Sequence, residues 1–149
     1  MIFNFVISFI AGYIYGHFFE YFAHKHILHN YKDFKVFFKN HFGRHHKVAR
    51  SNHMFDSAYS ALSSRANFFE IKSLSASVII HLPIALLSVG FFSAVVFSAV
   101  EYYIIHRKSH TDIEWCKKNL PWHFSHHIGN QNKNFGIRSN FVDKIMGTD

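Results

Sequence analysis

The 16 Lys and Arg residues of this 149-residue chain fall into two blocks, Lys25–Lys72 and Arg107–Lys144, and none lies in residues 1–23 or 74–105. No other feature restricts the fold so strongly, because the two cation-free stretches are also the most apolar. Ile2 to Phe19 (IFNFVISFIAGYIYGHFF) is an 18-residue run that would reach about 27 Å as a helix, against a hydrocarbon core of about 30 Å. Leu74 to Ile105 is a 32-residue run that contains Pro83 and Gly90. As one straight helix it would extend about 48 Å, too long for a bilayer without strong tilt, whereas two helices turning near Gly90 would each reach about 24 Å.

The expected fold is therefore all-α, an integral-membrane helical protein. One span covers about residues 2–23, and a helical hairpin covers about residues 74–105. Residues 30–73 and 107–149, both aromatic-rich, form a histidine-rich helical cap. Loop Lys and Arg mark the cytoplasmic side, and a hairpin puts both basic blocks on one side, so the cap is expected to face the cytoplasm. A cleaved signal peptide would want a basic start and a small-residue cleavage site. MIFN has no basic residue and the apolar run continues into EYFAHKHILH, so a retained span is the reading.

Composition agrees: 49% of residues are hydrophobic, 19 are Phe, and 17% are charged, where a soluble domain carries about a quarter. The net charge of +7 flanks apolar runs and forms no dense patch, so no nucleic-acid partner is expected. Cys116 is the single cysteine. It allows no intrachain disulfide and no thiolate metal site, and reads as an ordinary thiol.

Fourteen histidines remain to be explained. Ten form four clusters: His24 and His29 in HKHILH, His41, His45 and His46 in HFGRHH, His106 and His110 in HRKSH, and His123, His126 and His127 in HFSHH. On an α-helix, residues four apart share a face, as do His41 and His45, His106 and His110, and His123 and His127. Adjacent imidazoles diverge by about 100°, so each His-His pair serves two metals more easily than one. His123 and His127 are expected to serve one and His126 the other. His24 and His29, five apart, need a helix end or a second metal. EYFAHKHILH begins at Glu20 and EYYIIHRKSH at Glu101, an offset of 81 that also superposes His45 and His46 on His126 and His127.

His17, His26, His53 and His81 read as surface or satisfied core groups. Ten clustered imidazoles do not. Imidazole suits Zn, Cu, Fe and Ni, and a structural zinc site needs only four ligands, often with cysteine. Ten point to two metals of about five ligands each. Carboxylates should accept the free ring N–H of the ligands. Glu20, one turn before His24, is the best candidate, with Glu101 and Asp112 flanking the third cluster. His81 and Glu101 both lie inside the second apolar run and are expected to pair if the chain turns near Gly90.

These four motifs together resemble the fatty acid hydroxylase and sterol desaturase superfamily of integral-membrane, histidine-rich di-iron proteins. The tail NFGIRSNFVDKIMGT is similar to that family's stretch at Asn134, Gly136, Asp143, Gly147 and Thr148. Lys25 and Val142 depart from its usual arginine and aromatic. The resemblance runs from Glu20 to Thr148 and implies a single domain over residues 1–149. It also implies His24, His29, His41, His45, His46, His106, His110, His123, His126 and His127 as ligands of two iron ions, for which zinc can substitute in purified protein.

The implied activity is O₂-dependent hydroxylation or desaturation of an unactivated C–H bond in a membrane lipid such as a fatty acyl chain, with a carotenoid or sterol as the alternative substrate. With no G-x-G-x-x-G nucleotide fingerprint, electrons would come from an external ferredoxin or small b-type cytochrome with its reductase. A non-catalytic metal- or haem-binding membrane protein is the alternative of another class. Haem, however, needs only one or two axial histidines.

Overall fold

The structure, a computed structural model, describes residues 2–149. Helix α1 (Ile2–Ala23) runs into a π-helical turn, His24–Leu28. Helix α2 (Lys35–Asn40) runs into a second π-helical segment, His41–His46, followed by α3 (Lys47–Ser51). A 3₁₀ turn, Ser57–Tyr59, leads to α4 (Arg65–His81), and another, Leu82–Leu86, turns the chain into α5 (Val89–Thr111). Helices α6 (Ile113–Asn119), α7 (Pro121–Ile128) and α8 (Phe141–Met146) complete the chain. The described residues contain no strand.

Local chemistry sets the boundaries. Ser64, Ser88 and Asp112 accept from the backbone N–H of Asn67, Phe91 and Trp115, capping α4, α5 and α6. Pro121 occupies the first turn of α7, where its missing N–H costs nothing. Gly147 ends α8 at φ 65°, the left-handed position that glycine tolerates.

The reversal between α4 and α5 lies at Leu82–Ser88, around Pro83, and not near Gly90. Gly90 sits inside α5, where an added Cβ would stand 2.5 Å from the Phe5 carbonyl oxygen. Gly12 meets Phe91 and Ala94, and Gly16 meets Ser98. These neighbours advance together along both helices, so α1 and α5 run parallel, in close contact through small residues. That arrangement gives the Glu20/Glu101 repeat a spatial meaning: the two helices carry corresponding groups to the same level. Helix α4 returns antiparallel, with Asn67 bonded to the Tyr103 hydroxyl (2.9 Å) and His81 Nε2 to the Tyr15 hydroxyl (2.7 Å).

The α1 helix with its π turn (Ile2–Leu28) and α5 are each long and apolar enough to cross a membrane. Few of their residues are buried, and Leu86 and Leu87 at the hairpin turn are 90% and 88% exposed. The buried apolar residues are few, and two small clusters of them stand out. Tyr21, Phe135 and Val142 pack between α1 and the tail, and Met54, Cys116 and Leu120 under α6 and α7. Between these clusters the interior is imidazole.

Candidate metal centre

The ten histidines expected as ligands converge. His24, His29, His41, His46 and His126 form one group, and His45, His106, His110 and His127 another, each with candidate ligand atoms within 4.8 Å of one another. His123 stands against the second group, its Nε2 3.4 Å from that of His110 and its ring centroid 4.7 Å from that of His127. The groups abut, with the His46 and His127 rings 4.1 Å apart. Each adjacent pair, His45–His46 and His126–His127, is divided between them. His26 stacks on Phe22 and His17 packs edge-on against Tyr13, both outside the groups.

The two halves of the chain reach this arrangement differently. In α5 and α7 ordinary α-helical spacing suffices, as His106 and His110 show. In the first half the π winding, with i to i+5 hydrogen bonds, aligns residues five apart. The His29 N–H donates to the His24 carbonyl (3.1 Å), and the two side chains share a group. The same winding corrects the expected pairing of His41 with His45. His41 joins His46 instead, at 3.1 Å between Nε2 atoms, and His45 is sent to the second group.

Oxygen acceptors set the tautomers. His24 Nδ1 donates to the Phe135 carbonyl (2.5 Å), His110 Nδ1 to that of Met54 (2.8 Å) and His126 Nδ1 to that of Lys133 (2.6 Å). His45 Nδ1 donates to Asp56 (3.2 Å) and His106 Nδ1 to Glu70 (2.9 Å). A neutral imidazole carries one N–H, so each Nε2 is then a bare lone pair. Those of His106 and His110 face each other at 3.2 Å, repulsive unless a cation lies between. His29, His45 and His126 Nε2 and both His127 nitrogens are buried with no partner. Orphaned buried nitrogens on this scale need a ligand, and an all-imidazole donor set fits zinc, copper, iron or nickel.

Seven of these rings are also held in the right charge state. Burial, reinforced by neighbouring imidazoles, holds His41, His45, His46, His123 and His127 well below the ordinary imidazole value. Burial lowers His29 to about 3 and His126 to about 4. Neutral imidazole is the metal-binding form. The Cys116 thiol is pushed up to about 12 by burial, which makes it a poor nucleophile.

The acids expected to orient the ligands stand elsewhere. Glu20 accepts from the backbone N–H of Ile137 and Arg138 and from Arg138 Nε. Glu101 accepts from Arg138 Nη1 (3.0 Å) and the Tyr13 hydroxyl. Asp112 is exposed and caps α6. None of the three accepts from an imidazole. The expected His81–Glu101 pair does not form either. His81 ends α4 at the hairpin turn, bonded to Tyr15 and the Ser77 carbonyl, whereas Glu101 lies three turns into α5.

Asp56 and Glu70 do the orienting. Asp56 is fully buried in the 51–64 segment, which shows no clear period, and Arg44 holds it with two hydrogen bonds. The tail motif has a structural role: Asp143 accepts from Phe135 N, Gly136 N and Thr148 Oγ1, fixing the loop whose Phe135 carbonyl holds His24. A Cβ on Gly136 would collide with the Ser139 carbonyl oxygen, so only glycine fits there.

An apolar cavity of about 390 Å³ lies between α1, α4 and α5. Phe19, Phe69, Leu74 and Val95 contribute to its wall, and His24, His41 and His45 line it too. In comparisons with known proteins, the family model described as fatty acid hydroxylase matches residues 9–148. No curated protein and no solved structure matches the chain.

Proposed function

The chain belongs to the fatty acid hydroxylase family, and we propose that it is a di-iron oxidoreductase that hydroxylates or desaturates an unactivated C–H bond of a membrane lipid. The observation that carries this reading is the apolar cavity walled at one place by His24, His41 and His45. A non-catalytic metal store has no use for apolar space against its ligands.

Two irons held by the ten imidazoles would supply oxidising power from O₂ and two external electrons: RH + O₂ + 2e⁻ + 2H⁺ gives ROH + H₂O. The chain's own residues do the rest. Asp56, Glu70 and the Phe135, Met54 and Lys133 carbonyls keep Nδ1 protonated and Nε2 free. The apolar wall aligns a hydrocarbon chain and excludes water. Helices α1 and α5 seat the protein in the bilayer, with the histidine cap on the cytoplasmic face, where the basic segments lie. His29 is the least buried member of its group, and Lys25 and Lys32 line a second recess beside it. This basic entrance suits an acidic ferredoxin or small b-type cytochrome.

Metal analysis of purified protein, with mass spectrometry of lipid extracts from cells with and without it, tests the proposal. The expected result is two irons per chain and an O₂-dependent lipid product that has gained one oxygen or lost two hydrogens. Haem absorbance, a single metal per chain or unchanged lipids would overturn it.

A further inference from the structure

Six of the seven tyrosines are accounted for. Tyr13, Tyr15, Tyr21, Tyr59 and Tyr103 each hydrogen-bond through the hydroxyl, and Tyr31 is 55% exposed. Tyr102 is the exception: its hydroxyl has no hydrogen bond among the described residues. It lines the apolar cavity, one turn before His106, with ring centroids 5.4 Å apart.

Two more unused polar groups sit on the same wall. Ser98, one turn before Tyr102 on the same face of α5, is 7% exposed and its Oγ has no partner. Arg138 is 9% exposed and spends Nε on Glu20 and Nη1 on Glu101, but no acceptor meets Nη2. Ser98 Oγ and Arg138 Nη2 both converge on Gly16, 2.5 and 3.2 Å from where its Cβ would stand. A buried polar group left unpaired is destabilising, as Ser98 Oγ is here, and the Tyr102 hydroxyl and Arg138 Nη2, also without an acceptor or donor partner, line the same largely apolar cavity.

We propose that this wall binds a neutral oxygen of the lipid substrate, a hydroxyl or an ester or amide carbonyl, through Tyr102, Arg138 and Ser98. The inference rests on the lipid-oxidising reading and adds a substrate class to it. Charge decides against a free carboxylate. Arg138 already faces both Glu20 and Glu101, and Glu70 lines the same cavity as Tyr102. A further anion would enter surroundings that already hold more negative than positive charge, whereas a neutral oxygen accepts from Tyr102 and Arg138 without that penalty. The spacing sets the register of the chain. Four and eight residues along α5 place the oxygen about 6–12 Å short of His106, so oxidation falls several carbons from the polar end.

The test is equilibrium binding of radiolabelled hexadecanol, methyl hexadecanoate, hexadecanoic acid and hexadecane to purified full-length protein in detergent, at pH 8, which needs no turnover. The alcohol and ester should bind about fivefold more tightly than hexadecane, the worth of one or two neutral hydrogen bonds, and the ionised acid no better than hexadecane. Tyr102→Phe should abolish that preference while hexadecane binding, which also reports folding, is unchanged. Equal binding of all four, or tightest binding of the acid, overturns the oxygen site while leaving the lipid cavity standing. A Tyr102→Phe variant that keeps the preference also overturns it. Binding of none overturns both.

Discussion

The two halves of the chain deliver the same kind of side chain to the same place by different windings. The first half brings His24 with His29 and His41 with His46 together through π-helical segments, five residues apart. The second half uses plain α-helix, with His106 and His110, and His123 and His127, four apart. The parallel packing of α1 on α5 shows why the ends match although the windings do not: what is repeated is the level at which each helix releases its ligands. The lesson is that geometry is kept here while local spacing is free to vary.

That comparison is easiest to break by deleting one residue from each half. Deleting Gly43 turns the HFGRHH spacing into that of HFSHH, so an α-helix can present the same imidazoles that the π segment does. Deleting Ser125 leaves α7 with no such solution, because His123 would stand two and three residues from its partners. The Ser125 deletion should lose essentially all metal from the second group, and the Gly43 deletion should keep most of both. Metal per chain, by elemental analysis, decides. Equal loss in the two would show that the π winding is needed for more than alignment.

The next effect should be the same in the two halves. His29, from the first, and His126, from the second, are held at about 3 and about 4 by burial, against about 6.5 in an unfolded chain. The folded values are lowered, so below about pH 6.5 the unfolded state binds more protons than the folded one, and stability falls as pH falls. The penalty is absent above that pH and grows until the folded values are reached. Metal-free protein should therefore denature steeply as pH drops from 7 towards 4. His29→Gln and His126→Gln should each flatten the slope by about 1.4 kcal/mol per pH unit. Denaturant titrations at several pH values measure this, and a pH-independent midpoint would contradict it.

Much of the α-wound half was legible in the sequence and little of the π-wound half was. His106, His110, His123, His126 and His127 obey a 3.6-residue period that any α-helix enforces. Nothing in HKHILH or HFGRHH announces an i to i+5 bond, since π winding reflects the demands of the site more than any propensity of its residues. The Glu20/Glu101 repeat was visible, but its shared partner Arg138 was not, because an ion pair spanning the fold leaves no periodic trace. Asp56 and Glu70 were missed for the same reason. The Phe135, Met54 and Lys133 carbonyls are backbone groups, which residue type cannot reveal. A glycine in an apolar run resembles a breaker, yet it is Pro83 that turns the chain after α4, and Gly90 serves close packing against α1.

Glu20 and Glu101 sharpen the comparison further, being equivalent in sequence but unequal in burial. Both pair with Arg138, yet the Glu20 side chain is 5% exposed and that of Glu101 25%. Glu20 also accepts two backbone N–H groups from the tail. Glu20→Gln should destabilise the fold by about 3 kcal/mol, the cost of breaking a buried charge pair. Glu101→Gln, with the Tyr13 hydroxyl still able to bond the amide, should cost about 1 kcal/mol. Denaturant midpoints of the two variants in one detergent rank them, and a reversed order would mean that the tail is held from α5.

The smallest expected effect separates the metal groups themselves. Imidazoles of the first group rest on carbonyls, those of Phe135 and Lys133. Two of the second rest on carboxylates, Asp56 and Glu70. A carboxylate behind an imidazole raises its basicity as well as aiming it, and its loss typically costs 10- to 100-fold in metal affinity. Asp56→Asn and Glu70→Gln should each weaken one metal by about tenfold and leave the other untouched, so a competitive chelator titration would resolve two affinities where wild type shows closer values. Asp56→Asn should be the worse of the two, because Asp56 also binds Arg44 and the Ala58 N–H, whereas Glu70 shares its charge only with His106 and the Tyr59 hydroxyl. Equal weakening of both metals would mean that the groups act as one site.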